Sequence, residues 1–272
     1  MNFKNPLVAF GALPTRQITH MLTKNTIKMI RSLEQKKFRT RENSFVAEGP
    51  KVVGDLLAVM RPKLVIATSQ WISENNTKGI DVETVSEDEL SRISFLQHPQ
   101  QVLAVFPIPS ASESDDYNKA FKGKLTLALD SVQDPGNLGT IIRIADWFGI
   151  ETILCSHDTA DAYNPKVIQA TMGSIARVRI IYTDLPKTLE SLASTMPVYG
   201  TFLDGENIHA KQLPKEAIIV MGNEGKGISQ EVARLVTDRI LIPNYPEGRP
   251  TADSLNVAIA TAITCAEFRR NS

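Results

Sequence analysis

The stretch AIIVMGNEGKGISQEV, residues 217–232, sets five apolar residues in front of a glycine cluster that contains one carboxylate and one lysine. A strand that ends in a glycine-rich turn and then opens a helix often binds a phosphate or nucleotide, because the backbone comes close and helix N–H groups point at the ligand. The spacing fits neither familiar pattern. Gly222 and Gly227 are spaced as in a P-loop, but Ile228-Ser229 follows where Lys-Ser/Thr is required, and the dinucleotide pattern lacks its third small residue at Gln230. The loop therefore binds another kind of ligand or none.

Strand-like and helix-like segments alternate on both sides of the loop. Over residues 125–272 single helices separate the strands, which predicts a mostly parallel sheet covered on both faces, with ligands at the carboxyl ends of the strands. Residues 17–106 alternate in the same way and predict a small separate α/β domain. Residues 107–124 are rich in Pro, Ser and charge and predict a linker, and residues 1–16 predict a loose N-terminal arm.

Overall charge gives no reason to expect a polyanionic partner, but one segment is basic. The 272 residues include 30 basic and 30 acidic side chains. Between residues 24 and 41, however, one acid stands against Lys24, Lys28, Arg31, Lys36, Lys37, Arg39 and Arg41. A solvated helix face and a nucleic-acid contact are both open interpretations of this run.

Cysteine and histidine usage favours a reducing compartment and no metal. Cys155 and Cys265 lie far apart in apolar surroundings and are predicted to be buried thiols. The four histidines are scattered and show no ligand spacing, so no metal site is expected. The apolar stretch PLVAFGALP is too short and too interrupted to span a bilayer, so a cytoplasmic protein without a membrane partner is expected.

Three predicted strand ends carry more polar residues than a structural connection needs. They are LDSVQDPGNLGTIIRIAD (129–146), GNEGKGIS (222–229) and IPNYPEGRPTADSLNVAIATAI (242–263). Each has a structural explanation: Asn137 and Ser254 as helix N-caps, Glu224 at the positive end of a helix dipole, and Arg143 as a surface residue.

Taken together, these segments closely resemble, in order and spacing, the three motifs of the SpoU (TrmH) branch of the SPOUT RNA methyltransferases. The resemblance covers residues 125–272, and residues 17–106 look like the family's substrate-binding extension, a small ribosomal-protein-like α/β module. It implies a SPOUT-type parallel sheet with a deep trefoil knot, a homodimer, and S-adenosylmethionine-dependent 2′-O-ribose methylation of RNA.

The resemblance also implies roles for particular residues. The cofactor is expected to be lined by Leu203, Gly222, Ile242 and Leu255, with glycines that let the backbone crowd the adenosine. Arg143 matches the family's catalytic arginine, for which positioning and electrostatic help are favoured because a guanidinium stays charged. The remaining catalytic positions are matched by Asn137, Glu224, Ser254 and Asn256.

Ribosomal RNA is the favoured substrate because of the two-domain layout, with transfer RNA as the alternative and DNA not expected. RNA contacts are predicted at Lys36, Lys37, Arg39 and Arg41, and at Tyr245 and Arg249 in a loop, 243–253, that is longer than usual in the family. A non-catalytic RNA-binding or ribosome-assembly factor on the same fold remains a second hypothesis. The missing Lys-Ser/Thr and the lack of an aspartate pair oppose a nucleotide hydrolase.

Overall fold

The computed structural model describes residues 17–18, 22–109, 121–246 and 249–270. The predicted arm and most of the predicted linker lie outside these ranges. The chain divides into two compact units, one formed by residues 1–110 and 163–176, the other by residues 111–162 and 177–272. The segment 163–176 thus packs with the first unit, although the sequence places it inside the range 125–272.

The first unit is a mixed α/β layer. Its described strands are β1 (Gln17–Ile18), β2 (Ser44–Glu48), β3 (Leu64–Ala67), β4 (Val82–Thr84) and β5 (Val102–Pro107), in the order β1-β4-β3-β5-β2. β4 pairs in parallel with β1 and β3, whereas β5 is antiparallel to β2 and β3. The described helices are α1 (Lys24–Ser32), α2 (Lys36–Glu42), α3 (Pro50–Leu57), α4 (Ser69–Glu74), α5 (Glu87–Ile93) and, from the later segment, α7 (Pro165–Ala170).

Buried contacts explain where these elements begin and end. Residues 24–42 form two helices, α1 and α2, and Nη1 of Arg39 on α2 donates to the carbonyl groups of Leu33 and Glu34 just after α1 (both 2.7 Å). Ile168 of α7 is only 1% exposed within the core cluster that contains Phe45. The later segment therefore completes the first unit's core.

The second unit contains a parallel sheet, which confirms the prediction for this half of the chain. Its described strands are β6 (Leu125–Leu129), β7 (Thr152–Cys155), β8 (Arg179–Tyr182), β9 (Val198–Asn207), β10 (Ala217–Met221) and β11 (Asp238–Leu241). Their order is β11-β9-β10-β6-β7-β8, and each neighbouring pair is parallel. The described helices are α6 (Pro135–Trp147), α8 (Leu185–Leu192), α9 (Gln230–Ala233) and α10 (Val257–Arg269).

Both cysteines are buried free thiols, as the sequence predicts. Burial raises the pKa of Cys155 above its usual range and that of Cys265 to about 12. Neither thiol is therefore reactive in the folded protein.

Two features of the second sheet prepare a binding site. The chain runs outward from β6 to β7 and β8 and then returns to the other side, so the strand order reverses between β6 and β10, where open α/β sheets bind ligands. The pairing of β9 with β11 also shifts, because Gly200 lies opposite Arg239 while Glu206 lies opposite Ile240. Residues 201–205 therefore project from the ladder as a bulge. No helix in the described ranges has the length and apolar content needed to cross a bilayer.

Candidate functional site

A cavity of about 400 Å³ opens beside the bulge of β9 and beyond the carboxyl ends of β10 and β11. Its walls are the bulge, the glycine loop after β10, the end of β11 and the residues before α10. All four predicted cofactor residues line it: Leu203, Gly222, Ile242 and Leu255. The volume lies within the range of about 300–1,000 Å³ that is usual for small-molecule sites.

The glycine loop is folded tightly on itself. Asn223 and Gly227 exchange two backbone hydrogen bonds of 2.9 Å, and Oδ1 of Asn223 accepts from the N–H groups two and three residues later. A Cβ on Gly222 would lie 2.3 Å from the backbone of Gly227 and Ile228. The chain's own backbone therefore leaves no room for a side chain at Gly222, and the crowding of an adenosine by this loop stays a prediction.

Polar groups at the end of β6 hold the loop in place. Nδ2 of Asn223 donates to the carbonyl oxygen of Ser131 (2.7 Å), and the N–H of Ser229 donates to Oδ2 of the buried Asp130 (2.7 Å). The loop is thereby attached near its beginning and at its end, and the cavity wall it forms is pre-organised.

Three residues from the three sequence motifs form one hydrogen-bonded network beside the cavity. Nδ2 of Asn256 donates to Oδ1 of Asn137 (2.9 Å), and Nδ2 of Asn137 donates to Oε1 of Glu224 (3.1 Å). Oδ1 of Asn256 accepts from the first N–H groups of α10, which fixes which way its amide points. That orientation then fixes the amide of Asn137, so Glu224 receives a donor.

Glu224 is held as a carboxylate. Partial burial raises the pKa of its carboxyl, but hydrogen bonds from Asn137 and from the backbone N–H groups of Asp134 and Gln133 (3.1 and 3.3 Å) outweigh this effect and hold the pKa below its usual range. A carboxylate of lowered pKa is a weak proton acceptor. Its contribution is therefore to orient donors and to place negative charge.

Neither Asn137 nor Ser254 is the helix N-cap that its structural explanation assumes. The N-cap of α6 is Asp134, whose Oδ1 accepts from the N–H of Asn137 (2.7 Å), so Asn137 lies inside the first turn and its side chain is free to join the network. The N-cap of α10 is Asn256 and not Ser254. Ser254 instead lines the cavity.

Arg143 stands apart from this arrangement. It is exposed on α6, six residues after Asn137, which corresponds to about 9 Å along the helix and a rotation of about 240°. In the described part of the chain, no hydrogen bond or cavity contact connects it to the network. The structure thus brings together Asn137, Glu224, Ser254 and Asn256, but not Arg143.

The basic segment of the first unit is only partly available for RNA. Arg39 is 2% exposed and donates to two carbonyl groups after α1, so the prediction that it contacts RNA is wrong. Lys36, Lys37 and Arg41 are exposed, and the last two lie over the ring of Phe38 at 4.9 and 4.8 Å. Arg249 is exposed in the loop after β11.

Sequence reasoning missed three residues that shape the site. Asp134 has a signal, since Asp followed by Pro is a typical helix start. Asp130 and Asn223 have none, because their partners lie about 90 or more residues away in the sequence and are set only by the sheet order.

Parallel strand ends, a reversal of strand order and a cavity of this size define an α/β protein that binds a nucleotide-sized ligand at the carboxyl edge of its sheet. The chain belongs to the SpoU rRNA methylase family, whose model matches residues 124–266. An MRM3-like substrate binding domain matches residues 24–104. Both matches confirm the resemblance inferred from the motifs.

Individual relatives match nearly the whole chain. A TrmH-family protein of Porphyromonas gingivalis is 43% identical with a TM-score of 0.83, over 93% of this chain and 100% of that one. The AdoMet-bound rRNA methyltransferase of Sinorhizobium meliloti is 34% identical with a TM-score of 0.80, over 94% and 98%. The 23S rRNA (guanosine(2553)-2'-O)-methyltransferase RlmP of Bacillus subtilis is 32% identical over 89% of this chain and 95% of its own length.

Proposed function

We propose that the protein transfers a methyl group from S-adenosylmethionine to a ribose 2′-hydroxyl of ribosomal RNA. The observation that carries the proposal is the network of Asn137, Glu224 and Asn256 beside a cavity lined by all four expected cofactor residues. Support comes from relatives named as 23S rRNA 2'-O-methyltransferase and as AdoMet-bound rRNA methyltransferase.

The lining of the cavity fits this cofactor. Apolar side chains of Leu203, Ile242 and Leu255 and the exposed backbone of the glycine loop suit an adenosine and a thioether-like chain. When bound, S-adenosylmethionine supplies a methyl group that is already activated by its sulfonium. The protein has to align the poor 2′-hydroxyl nucleophile with that methyl group and help remove one proton.

We propose that the protein is a homodimer and that Arg143 acts at the interface between the two subunits. α6 and α10 lie side by side and present exposed or half-buried apolar side chains to the outside: Ile144, Trp147, Ile259, Ala262, Ile263 and Ala266. Trp147 is 85% exposed and Ile259 53%. A contiguous apolar face of this kind marks a protein–protein contact. Arg143 precedes Trp147 by one turn, so pairing through this face would bring Arg143 to the partner subunit.

The dimer has a direct test. Trp147→Glu places a charge on the proposed interface. We expect light scattering to report a monomer and the transfer rate to fall with it. A variant that stays dimeric would move the interface elsewhere. A monomer with full activity would separate Arg143 from any role across the interface.

The deep knot and the compartment are part of the same proposal. Gly222 and Gly205 each lie where a Cβ would meet neighbouring backbone at 2.3 and 2.5 Å, and such close backbone approach is what tightly threaded segments require. A crystal structure that traces residues 198–257 tests the threading. An enzyme that methylates ribosomal RNA is expected to act in the cytoplasm. Microscopy of a tagged chain tests this location.

The first unit is proposed to hold RNA through its exposed basic residues. Lys36, Lys37 and Arg41 are the remaining members of the predicted footprint. Replacing all three with glutamine should reduce the slope of log affinity against log salt by about 2 to 3, at roughly 0.7–0.9 per phosphate contact. An unchanged slope in a filter-binding titration would assign them to a solvated helix face.

Reconstituted transfer tests the function as a whole. Purified protein and labelled S-adenosylmethionine are incubated with unmodified 23S ribosomal RNA transcript, transfer RNA transcript and the matching DNA, which lacks the acceptor hydroxyl. We expect label on ribose of the ribosomal transcript alone. Label on transfer RNA alone would support the alternative substrate, and RNA binding without transfer by the dimeric protein would support an assembly factor.

Arg143→Ala separates binding from chemistry in the same assay. Its transfer rate should fall on the order of a hundredfold or more, the usual scale for removing one aligned electrostatic group, while calorimetry shows unchanged cofactor affinity. Near-full activity of this variant would assign the catalytic role to another residue.

A further inference from the structure

Tyr245 is the most exposed large apolar side chain in the described part of the chain, with 91% of its surface open to solvent. It stands in the loop after β11, three residues beyond Ile242, which places it within about 10 Å of that residue along the chain. Ile242 and Asp253 both line the cavity, so the loop leaves the cavity wall and returns to it. Tyr245 itself is not among the described lining residues.

The backbone around Tyr245 is braced. Nδ2 of Asn244 donates to the carbonyl oxygen of Arg249 (3.2 Å) and to Oγ1 of Thr251 (3.3 Å), and the N–H of Arg249 donates to the carbonyl oxygen of Pro246 (3.2 Å). These bonds join the two arms of the loop. The ring is therefore presented from organised backbone, with the exposed Arg249 on the same loop.

We propose that Tyr245 stacks on an unpaired base next to the methylated nucleotide, and that Arg249 holds a neighbouring phosphate. This inference rests on the proposed function. Methyl transfer requires the target ribose at the cavity, and its flanking bases then lie near the rim where the loop stands. Proteins read unpaired RNA by stacking bases on aromatic rings and by pairing phosphates with guanidinium groups. An exposed ring and an exposed guanidinium on the same loop supply both.

Two other uses of the ring predict different outcomes. If Tyr245 covered the adenine of the cofactor, its removal would weaken S-adenosylmethionine binding. If it contacted a second copy of the chain, its removal would weaken the dimer. The position of Tyr245 outside the cavity lining and outside α6 and α10 opposes both.

A series at one position separates stacking from apolar contact. With unmodified 23S ribosomal RNA transcript as the probe, Tyr245→Ala should raise KM for RNA about tenfold or more, the scale of one lost base stack. The rate at saturating RNA and the calorimetric affinity for S-adenosylmethionine should stay unchanged. Tyr245→Phe keeps the ring and should match the parent, whereas Tyr245→Leu keeps apolar area without a ring and should behave like Tyr245→Ala.

Salt dependence separates the two side chains. Tyr245→Ala should weaken RNA binding equally at every salt concentration, because stacking releases no counterions. Arg249→Gln should flatten the slope of log affinity against log salt by about 0.7–0.9. Lys215→Gln, at an exposed lysine of the same unit, is the matched control and should leave the slope unchanged.

Several results would overturn the proposal. Equal KM and RNA affinity in Tyr245→Ala and the parent would exclude stacking. Equal KM in the leucine and phenylalanine variants would show that the side chain contributes only apolar contact area. Loss of cofactor affinity or of the dimer in Tyr245→Ala would assign it to one of the other uses. Failure of the parent protein to methylate the transcript refutes the proposed function instead, and the binding and salt measurements still test the loop because they need no transfer.

Discussion

Replacing Asn137 with aspartate tests whether the network is held by the donor that Asn137 offers to Glu224. The amide nitrogen lies 3.1 Å from Oε1 of Glu224, so Asn137→Asp sets a second carboxylate at about that distance. Two like charges at about 3 Å repel by about 1.4 kcal/mol in water and about 5 kcal/mol at an effective dielectric constant near 20. Glu224 is largely exposed, so the lower end applies, and we expect a loss of about 1–2 kcal/mol at pH 7 relative to Asn137→Ala.

The sign of the pH dependence is fixed. In the variant, repulsion raises the pKa of the coupled carboxyl pair in the folded state above the unfolded values near 4. The penalty is therefore absent below about pH 4 and grows as the pH rises through the raised folded-state pKa. In the parent protein the lowered pKa of Glu224 gives the opposite behaviour, with stability that is present above the ordinary value of 4.5 and lost as the pH falls through the lowered pKa.

Urea unfolding followed by circular dichroism from pH 4 to 8 measures this difference. The transition that moves in Asn137→Ala identifies the second unit, and the same transition is compared among the variants. Asn137→Asp with Glu224→Gln removes one charge of the pair and should abolish the extra pH dependence. Parallel profiles for Asn137→Asp and Asn137→Ala would show that the two side chains do not interact in solution.

Two further substitutions have matched controls, and a third tests the assignment of the later segment to the first unit. Gly222→Ala should abolish S-adenosylmethionine binding in calorimetry, because its Cβ would lie 2.3 Å from the loop backbone. The control Gly225→Ala meets only one side-chain oxygen, at 3.8 Å, and should bind the cofactor normally. Equal loss of binding in both variants would refute the loop-crowding argument. Arg39→Gln should destabilise the first unit by about 1.5–3 kcal/mol in urea unfolding, since it removes charged hydrogen bonds to the carbonyl groups of Leu33 and Glu34. Arg41→Gln should leave stability unchanged and weaken RNA binding. Ile168→Ala should lower the unfolding free energy of the first unit by about 2–5 kcal/mol, and a shift confined to the second unit would contradict the assignment of this segment.

Periodicity and turn chemistry were enough to predict most elements, because local sequence determines them. Helix α5, for example, begins at a capping box formed by Ser86 and Glu89, a pattern that lies within four consecutive residues of the sequence. The parallel second sheet follows from strands separated by single helices. The strand order is not predictable in this way, since the reversal between β6 and β10 depends on pairing between strands that are distant in the sequence.

The candidate site was predictable where the motifs resemble a family and not where tertiary contacts decide. The resemblance identifies Leu203 and Ile242, yet the shift in register that brings residues 201–203 into the cavity wall has no local signal. Arg39 shows the reverse error. Its sequence neighbours are exposed lysines and arginines, and only the folded chain reveals that its guanidinium binds the carbonyl groups that end α1.

The amide–amide–carboxylate order of the network also explains why three distant motifs belong to one site. The first N–H groups of α10 donate to Oδ1 of Asn256 and so fix the orientation of its side-chain amide. That orientation determines the amide orientation of Asn137, and with it the hydrogen bond to Glu224. An amide at Asn137 accepts on one side and donates on the other, which neither a carboxylate nor an ammonium group can do. The position of α10 is thereby transmitted to Glu224 and, through Glu224, to the glycine loop that forms a wall of the cavity. Because the same loop is also fastened by Asp130 and Ser131 at the end of β6, the cavity is shaped before any ligand enters, and binding does not have to order it.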